Sequence, residues 1–240
     1  MKKYILYSLA LFMVMLGFTS CNDGNDELTD SKLTYYVILN MQGDDFVEVP
    51  IGTPYTDPGC KASLKGVDFT SKVKTTGLDK IDVNKAGLYY ITYTGVNEDG
   101  FSKSVTRTVA VCDPTITTDM SGTYTVANGS YRYYATKNAT TPYKGYKIKI
   151  TKAAPGIFYV SDILGGYYDQ RSGIGESAAM KGYFQLFADD TVKCLSGDVD
   201  YWSDSFINFK DGKYDPLTNT LSYVVTYGYS DMDFHVILSL

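Results

Sequence analysis

Two stretches hold residue types that could recognise a ligand. The first runs from Ser161 to Gly175 (SDILGGYYDQRSGIG) and the second from Asp198 to Asp204 (DVDYWSD). Tyr167, Tyr168, Tyr201 and Trp202 offer aromatic faces, while Asp162, Asp169 and Arg171 offer carboxylates and a guanidinium. Sugars are bound by this mixture, because pyranose C–H faces stack on rings and hydroxyls take charged hydrogen-bond partners. Trp202 is the only tryptophan, and four glycines in the first stretch permit backbone angles closed to other residues. Each feature also has a structural reading: Tyr167 and Tyr168 as caps on a barrel end, Trp202 as a core plug, Gly165-Gly166 as a tight turn.

Catalysis finds little support. A glycosidase needs two carboxylates roughly 5–10 Å apart; Asp162, Asp169, Glu176, Asp200 and Asp204 are candidates, as in any acidic β domain. His235 is the one histidine and lies between Phe234 and Val236 in an alternating strand, against a Ser-His-Asp or Cys-His site. No catalytic residue is assigned. EF-hand spacing and zinc-type Cys/His patterns are missing, so no metal or other cofactor is assigned, with calcium on the aspartates left open.

The chain opens MKKYILYSLALFMVMLGFTSC, with Lys2 and Lys3 ahead of an apolar run from Tyr4 to Phe18. That order of regions reads as a secretory signal over 1–20, and the run is short for a spanning helix of about 20 residues. Leu16-Gly17-Phe18-Thr19-Ser20-Cys21 resembles the bacterial lipobox, which implies cleavage before Cys21 and lipidation of its thiol. Several acyl chains hold a protein on a membrane, since each buried CH₂ contributes about 0.8 kcal/mol. Asn22-Asp23-Gly24-Asn25-Asp26-Glu27 looks like the export tag of Bacteroidetes surface lipoproteins. Residues 21–32 then form a lipidated flexible tether.

Removing Lys2 and Lys3 takes the net charge from −5 to −7. With no basic cluster, this excludes a nucleic-acid partner, for which a cationic face is the first requirement. The 23 tyrosines and 11 phenylalanines, with abundant strand formers and no long helical period, predict an all-β protein. Cys60, Cys112 and Cys194 remain beside Cys21, an odd number; Cys60 with Cys112 is the natural candidate for a pair, and three buried free thiols, small hydrophobes in effect, is the favoured reading.

From Tyr35 short alternating strands follow one another. In GLYYITYTGVNEDGFSKSVTRTVAVCD, Tyr89, Ile91 and Tyr93 share a face, and Asn97 to Gly100 forms a hairpin loop. Asp113-Pro114 divides the chain into domains at 33–113 and 114–240. In the second, Tyr146, Ile148 and Ile150 face inward, as do Leu221, Tyr223, Val225 and Tyr227, and then Met232, Phe234, Val236 and Leu238. A helix-free meander must hide its edges, so an antiparallel barrel, lipocalin-like in its order, or a sandwich is expected.

Two family resemblances follow. Gly52-Thr53-Pro54-Tyr55-Thr56-Asp57-Pro58-Gly59, Gly87 to Thr94, Asp99-Gly100 and Arg107 to Val111 resemble bacterial Ig-like domains, which implies a β-sandwich acting as a stem. Ile150-Thr151-Lys152, Gly156 to Asp162 and Gly165 to Asp169 look like the C-terminal domain of Bacteroidetes lipoproteins encoded beside outer-membrane glycan importers of the starch-utilisation kind. That resemblance implies a cell-surface, outer-membrane setting with polysaccharide and transporter components as partners. Non-catalytic glycan binding is the favoured function, and docking on a partner protein is the alternative.

Overall fold

The computed structural model describes residues 33–228 and 231–240. The leader, the tether and Cys21 lie outside the described residues. Seven strands fill the first half: β1 (Ile38–Met41), β2 (Phe46–Pro50), β3 (Cys60–Leu64), β4 (Val67–Asp68), β5 (Lys74–Thr76), β6 (Gly87–Val96) and β7 (Ser102–Cys112). They make a three-stranded sheet ordered β1-β3-β4 and a four-stranded sheet ordered β2-β7-β6-β5, in which β2 runs parallel to β7. Alternation on β6 and β7 sends Ile91, Tyr93, Val109 and Val111 into the core between them. The loop joining the two strands carries Gly100 at φ +87° and is tied by the Phe101 N–H donating to Asn97 Oδ1 at 2.7 Å.

Arg107 occupies the same inward phase and is fully buried. Its guanidinium donates to Asp57 and to the carbonyl of Gln42, and its Nε donates to the carbonyl of Asp44 at 2.9 Å. The Tyr93 hydroxyl donates to both Asp57 oxygens, at 2.6 and 2.7 Å. A guanidinium in an apolar sheet is tolerated only when paired and hydrogen-bonded in this way.

Eleven strands form the second half: β8 (Gly122–Val126), β9 (Tyr131–Tyr134), β10 (Ala139–Pro142), β11 (Lys147–Ala154), β12 (Ile157–Val160), β13 (Met180–Leu186), β14 (Val192–Val199), β15 (Asp204–Ser205), β16 (Asn208–Asp215), β17 (Thr220–Tyr227) and β18 (Met232–Ser239). All belong to one sheet. β18 pairs with β17 along its length, with β9 at its start and with β8 at its end. Between β8 and β9 the Ser130 hydroxyl replaces a ladder partner, accepting from the Ile237 N–H at 3.0 Å. The inward residues read from alternation on β11, β17 and β18 line a single core, with Tyr146 and Met232 only partly buried.

The closed barrel is not formed. No ladder joins β14 to β16 among the described residues; their ends are linked by the bridge Thr191–Lys213 and by the Tyr214 N–H bonded to the Asp190 carbonyl at 2.9 Å. Two local features prevent a continuous ladder: the end of β14 is taken by β15, and β16 shifts register between Lys210 and Lys213, where Asp211 has φ +57°.

Tyr36–Leu240 forms one compact unit. No strand pairing joins the two halves among the described residues, but a shared core does: Ala110 and Cys112 of β7 are buried with Ala154 and Ile157. Around them Phe46 stacks on Tyr183 with ring centroids 6.2 Å apart. Both faces of β7 are therefore covered near its end. Cys60, Cys112 and Cys194 are free thiols, so the Cys60–Cys112 pair does not form.

Candidate functional site

The residues singled out in the sequence are placed by the segment between β12 and β13. Asp162 anchors it. Its carboxylate accepts the N–H groups of Leu164 at 2.8 Å, Met180 at 3.1 Å and Gly166 at 2.9 Å. Burial pushes this carboxyl up to about 7, against those three N–H bonds, which favour the ionised form. From the core side, the Tyr223 hydroxyl donates to the Ile163 carbonyl at 2.8 Å and the Tyr143 hydroxyl to the Leu164 carbonyl at 3.0 Å.

Gly165 and Gly166 follow at φ +65° and +73°, and a Cβ on Gly166 would come within 2.8 Å of the Tyr146 side chain. Only glycine fits there. The chain then makes one wide π-helical turn over Tyr167–Arg171, with the Arg171 N–H reaching the Gly166 carbonyl at 2.8 Å. The Gln170 amide holds this turn against β11, donating to the Lys147 carbonyl at 2.8 Å and accepting its N–H at 3.0 Å.

A second turn, between β14 and β15, carries Tyr201 and Trp202, with Ser203 in the left-handed region at φ +53°. It is tied to the same segment between β12 and β13 by the Tyr201 N–H donating to the Ser177 carbonyl at 2.9 Å. Together the two turns assemble a row of rings. Tyr167 meets Tyr168 at 5.1 Å between centroids, Tyr168 meets Trp202 at 5.0 Å, and Trp202 meets Tyr201 at 4.9 Å, all edge to face. Tyr227 and Phe234 back the row at 6.1 and 5.9 Å from Tyr168. The row runs from core to water: Tyr167 is buried at 3%, Tyr168 is half-buried, and Trp202 and Tyr201 are exposed at 41% and 58%.

Four of the expected residues, Tyr167, Tyr168, Tyr201 and Trp202, thus come together, but Tyr167 among them and Asp162 beside them do not face a ligand. Asp162 is a buried brace with both oxygens occupied by backbone. Tyr167 is a core ring under the platform, with edge contacts to Tyr143 and Phe234. Trp202 is no core plug. Asp169 is half-buried on the wide turn, and Arg171 is exposed with its guanidinium carbon 4.8 Å from the Tyr167 centroid. Two more of the carboxylates weighed for acid–base work are engaged: Glu176 pairs with Lys181 at 3.0 Å and Asp204 accepts the Tyr227 hydroxyl at 2.7 Å. His235 stacks flat on Tyr131 at 4.1 Å, on the outer face of β18. Among the described residues no cluster of three or more His, Cys, Asp or Glu is arranged to hold a metal.

Arg132 joins the site unannounced. Its guanidinium carbon lies 4.8 Å from the Tyr167 centroid and 5.4 Å from that of Tyr134; burial raises the Tyr168 hydroxyl, and hydrogen bonding to Arg132 offsets part of that rise. Arg132 is paired with Phe234 across β9 and β18, so it shares the inward face. That register was the missing signal, since β9 is too short for its own alternation to declare a face.

A separate concavity lies elsewhere. A cleft of about 730 Å³ opens where the halves meet, lined by Leu88, Ile116, Leu186, Phe187 and Leu195 with Lys85 and Lys193. It shares no residue with the platform.

Comparison with known proteins follows the same division. A family model described as "Bacterial surface protein, Ig-like domain" matches residues 39–111. A second, described as a "-like, C-terminal domain", matches residues 113–240. Neither description names a catalytic activity. No curated protein matches the chain. Among solved structures, a domain pair titled CBM51-2 in complex with GlcNAc and INT domains of Clostridium perfringens ZmpB is 17% identical, covering 52% of this chain and 28% of that one. Its TM-score of 0.26 carries no argument. The lipoprotein BT2262 from Bacteroides thetaiotaomicron is 40% identical, covering 85% of this chain and 100% of that one, with a TM-score of 0.48. On that identity and coverage, the chain belongs to the family of the Bacteroides thetaiotaomicron lipoprotein BT2262.

Proposed function

We propose that this is a lipid-anchored cell-surface protein of the outer membrane, whose C-terminal half binds glycan without catalysis for a polysaccharide-uptake system. Cys21 is the anchor, residues 33–113 the stem, and residues 114–240 the binding domain. Kinship with a lipoprotein and the match to a bacterial surface domain support the location. The observation that carries the binding role is the ring row: Trp202 and Tyr201 reach water while Tyr168, Tyr227 and Phe234 fix them from behind. Aromatic faces held this way stack on sugar rings with little ordering cost.

Replacing Trp202 with alanine tests it. Native protein should be retarded in polysaccharide-containing gels and the variant should not, while its melting temperature falls only slightly because the ring is half exposed. Native protein that retains no glycan from a broad panel overturns the reading. Exposed Trp and Tyr are also the residue types that dominate protein interfaces, so loss of a crosslinked protein partner on cells in the same variant would instead favour docking.

A further inference from the structure

We infer that the glycan taken by this platform is anionic, carrying carboxylate or sulfate groups, and that Arg132 and Arg171 receive them. The inference rests on the glycan-binding reading above and concerns which class of sugar fits.

Two guanidinium groups stand against one ring, each 4.8 Å from the Tyr167 centroid. Neither belongs to an ion pair among the described residues, although the chain is acidic overall. Arg107 shows what a settled arginine looks like in this protein: it is buried, paired with Asp57 and bonded to two carbonyls. Arg132 is different. Its Nε is buried without any hydrogen-bond acceptor, and its Nη1 meets the Met232 sulfur at 3.9 Å, a weak acceptor, beside the Tyr168 hydroxyl. The rings of Tyr134 and Tyr167 answer its charge through their faces but take none of its directed hydrogens.

A half-buried guanidinium left this way is costly unless something completes it. Carboxylate and sulfate oxygens do so with paired, charge-assisted bonds that a neutral hydroxyl cannot match. The position suits such a group. Arg132 stands beside the Tyr168 hydroxyl, and Tyr168 packs on Trp202, so a sugar stacked on Trp202 would present its ring substituent toward the arginines. Asp204 stands at the same end, but its Oδ1 is already engaged by Tyr227.

Dextran and dextran sulfate share a backbone and differ in charge, and polygalacturonate supplies carboxylate instead. Native protein should bind dextran sulfate or polygalacturonate at least tenfold more tightly than dextran, with affinity falling as salt rises. Arg171→Gln, at an exposed position, and Arg132→Gln should each remove most of that preference. The protein's own net negative charge opposes unspecific attraction to polyanions, so a preference reports a local site. The two anionic polymers decide between carboxylate and sulfate. Equal affinity for dextran and both polyanions, or an unchanged preference in Arg171→Gln, would overturn this inference while sparing glycan binding. Absence of binding to both polyanions likewise overturns this inference, and absence across the broad panel overturns the glycan reading itself.

Discussion

The Asp162 carboxylate accepts the Gly166 N–H at 2.9 Å, across the four residues where the chain leaves β12 and turns into the platform. This bond closes a knot whose other strands are the Leu164 and Met180 N–H groups. Rigidity of the ring row therefore traces to a carboxylate that never reaches the ligand.

Changing Asp162 to asparagine keeps the size but replaces one acceptor oxygen with a donor. At least one of three buried N–H groups then faces an N–H, at a cost of about 1–3 kcal/mol. For a chain of this size that lowers the melting temperature by several degrees, at about 2–4 °C per kcal/mol. Calorimetry of the variant checks it. An unchanged melting temperature would show that the knot is dispensable.

The same group sets a pH dependence. Its carboxyl is pushed up to about 7 in the fold, against about 3.9 in an unfolded chain. Between those values the folded state holds a proton that the unfolded state has lost. Its contribution to stability is thus complete below pH 4, declines as pH rises toward 7, and is flat above. Native protein should lose melting temperature relative to Asp162→Asn across that window, and parallel curves would refute the assignment.

The sequence showed the faces of long strands but not the joints between them. On β17 and β18 period-two alternation extends over eight residues each, so Leu221, Tyr223, Val225, Phe234, Val236 and Leu238 could be placed inward before any pairing was known. Trp202, Tyr168 and Tyr201 were recognisable by type. Arg132 was not, because its face depends on register with a strand about a hundred residues away. Barrel closure failed for a related reason: the bulge in β16 and the small strand β15 are local choices that alternation does not record. Asp57 and Arg107 belong to separate Ig-like motif segments, and only the folded chain shows that they are partners.

That pair supports a third prediction. Asp57→Ala leaves Arg107 buried without its carboxylate, a change of about 3–5 kcal/mol. Tyr93→Phe removes one donor to the same carboxylate and should cost about 1 kcal/mol. Chemical denaturation should rank the variants in that order, and a larger loss from Tyr93→Phe would mean that the ring hydroxyl, not the ion pair, holds the network.

The last prediction concerns the joint between the halves. Ala110 is fully buried on the face of β7 that turns away from the Ig-like core, against Ala154 and Ile157. Ala110→Asp places a carboxylate in that apolar contact with no cation among the residues that form it. Burying it unpaired costs several kcal/mol, so the contact opens instead and the carboxylate hydrates. Neither half loses its own sheet, because no strand pairing crosses the joint among the described residues. Native protein should therefore melt in one transition, with the shared core coupling the halves, and Ala110→Asp should melt in two. Limited proteolysis should report the same event as new cleavage in the segment between β7 and β8. If the variant melts in one transition at the native temperature, the contact at Ala110 contributes nothing to stability. If it melts in one transition far lower, the core under Ala110 belongs to a single folding unit.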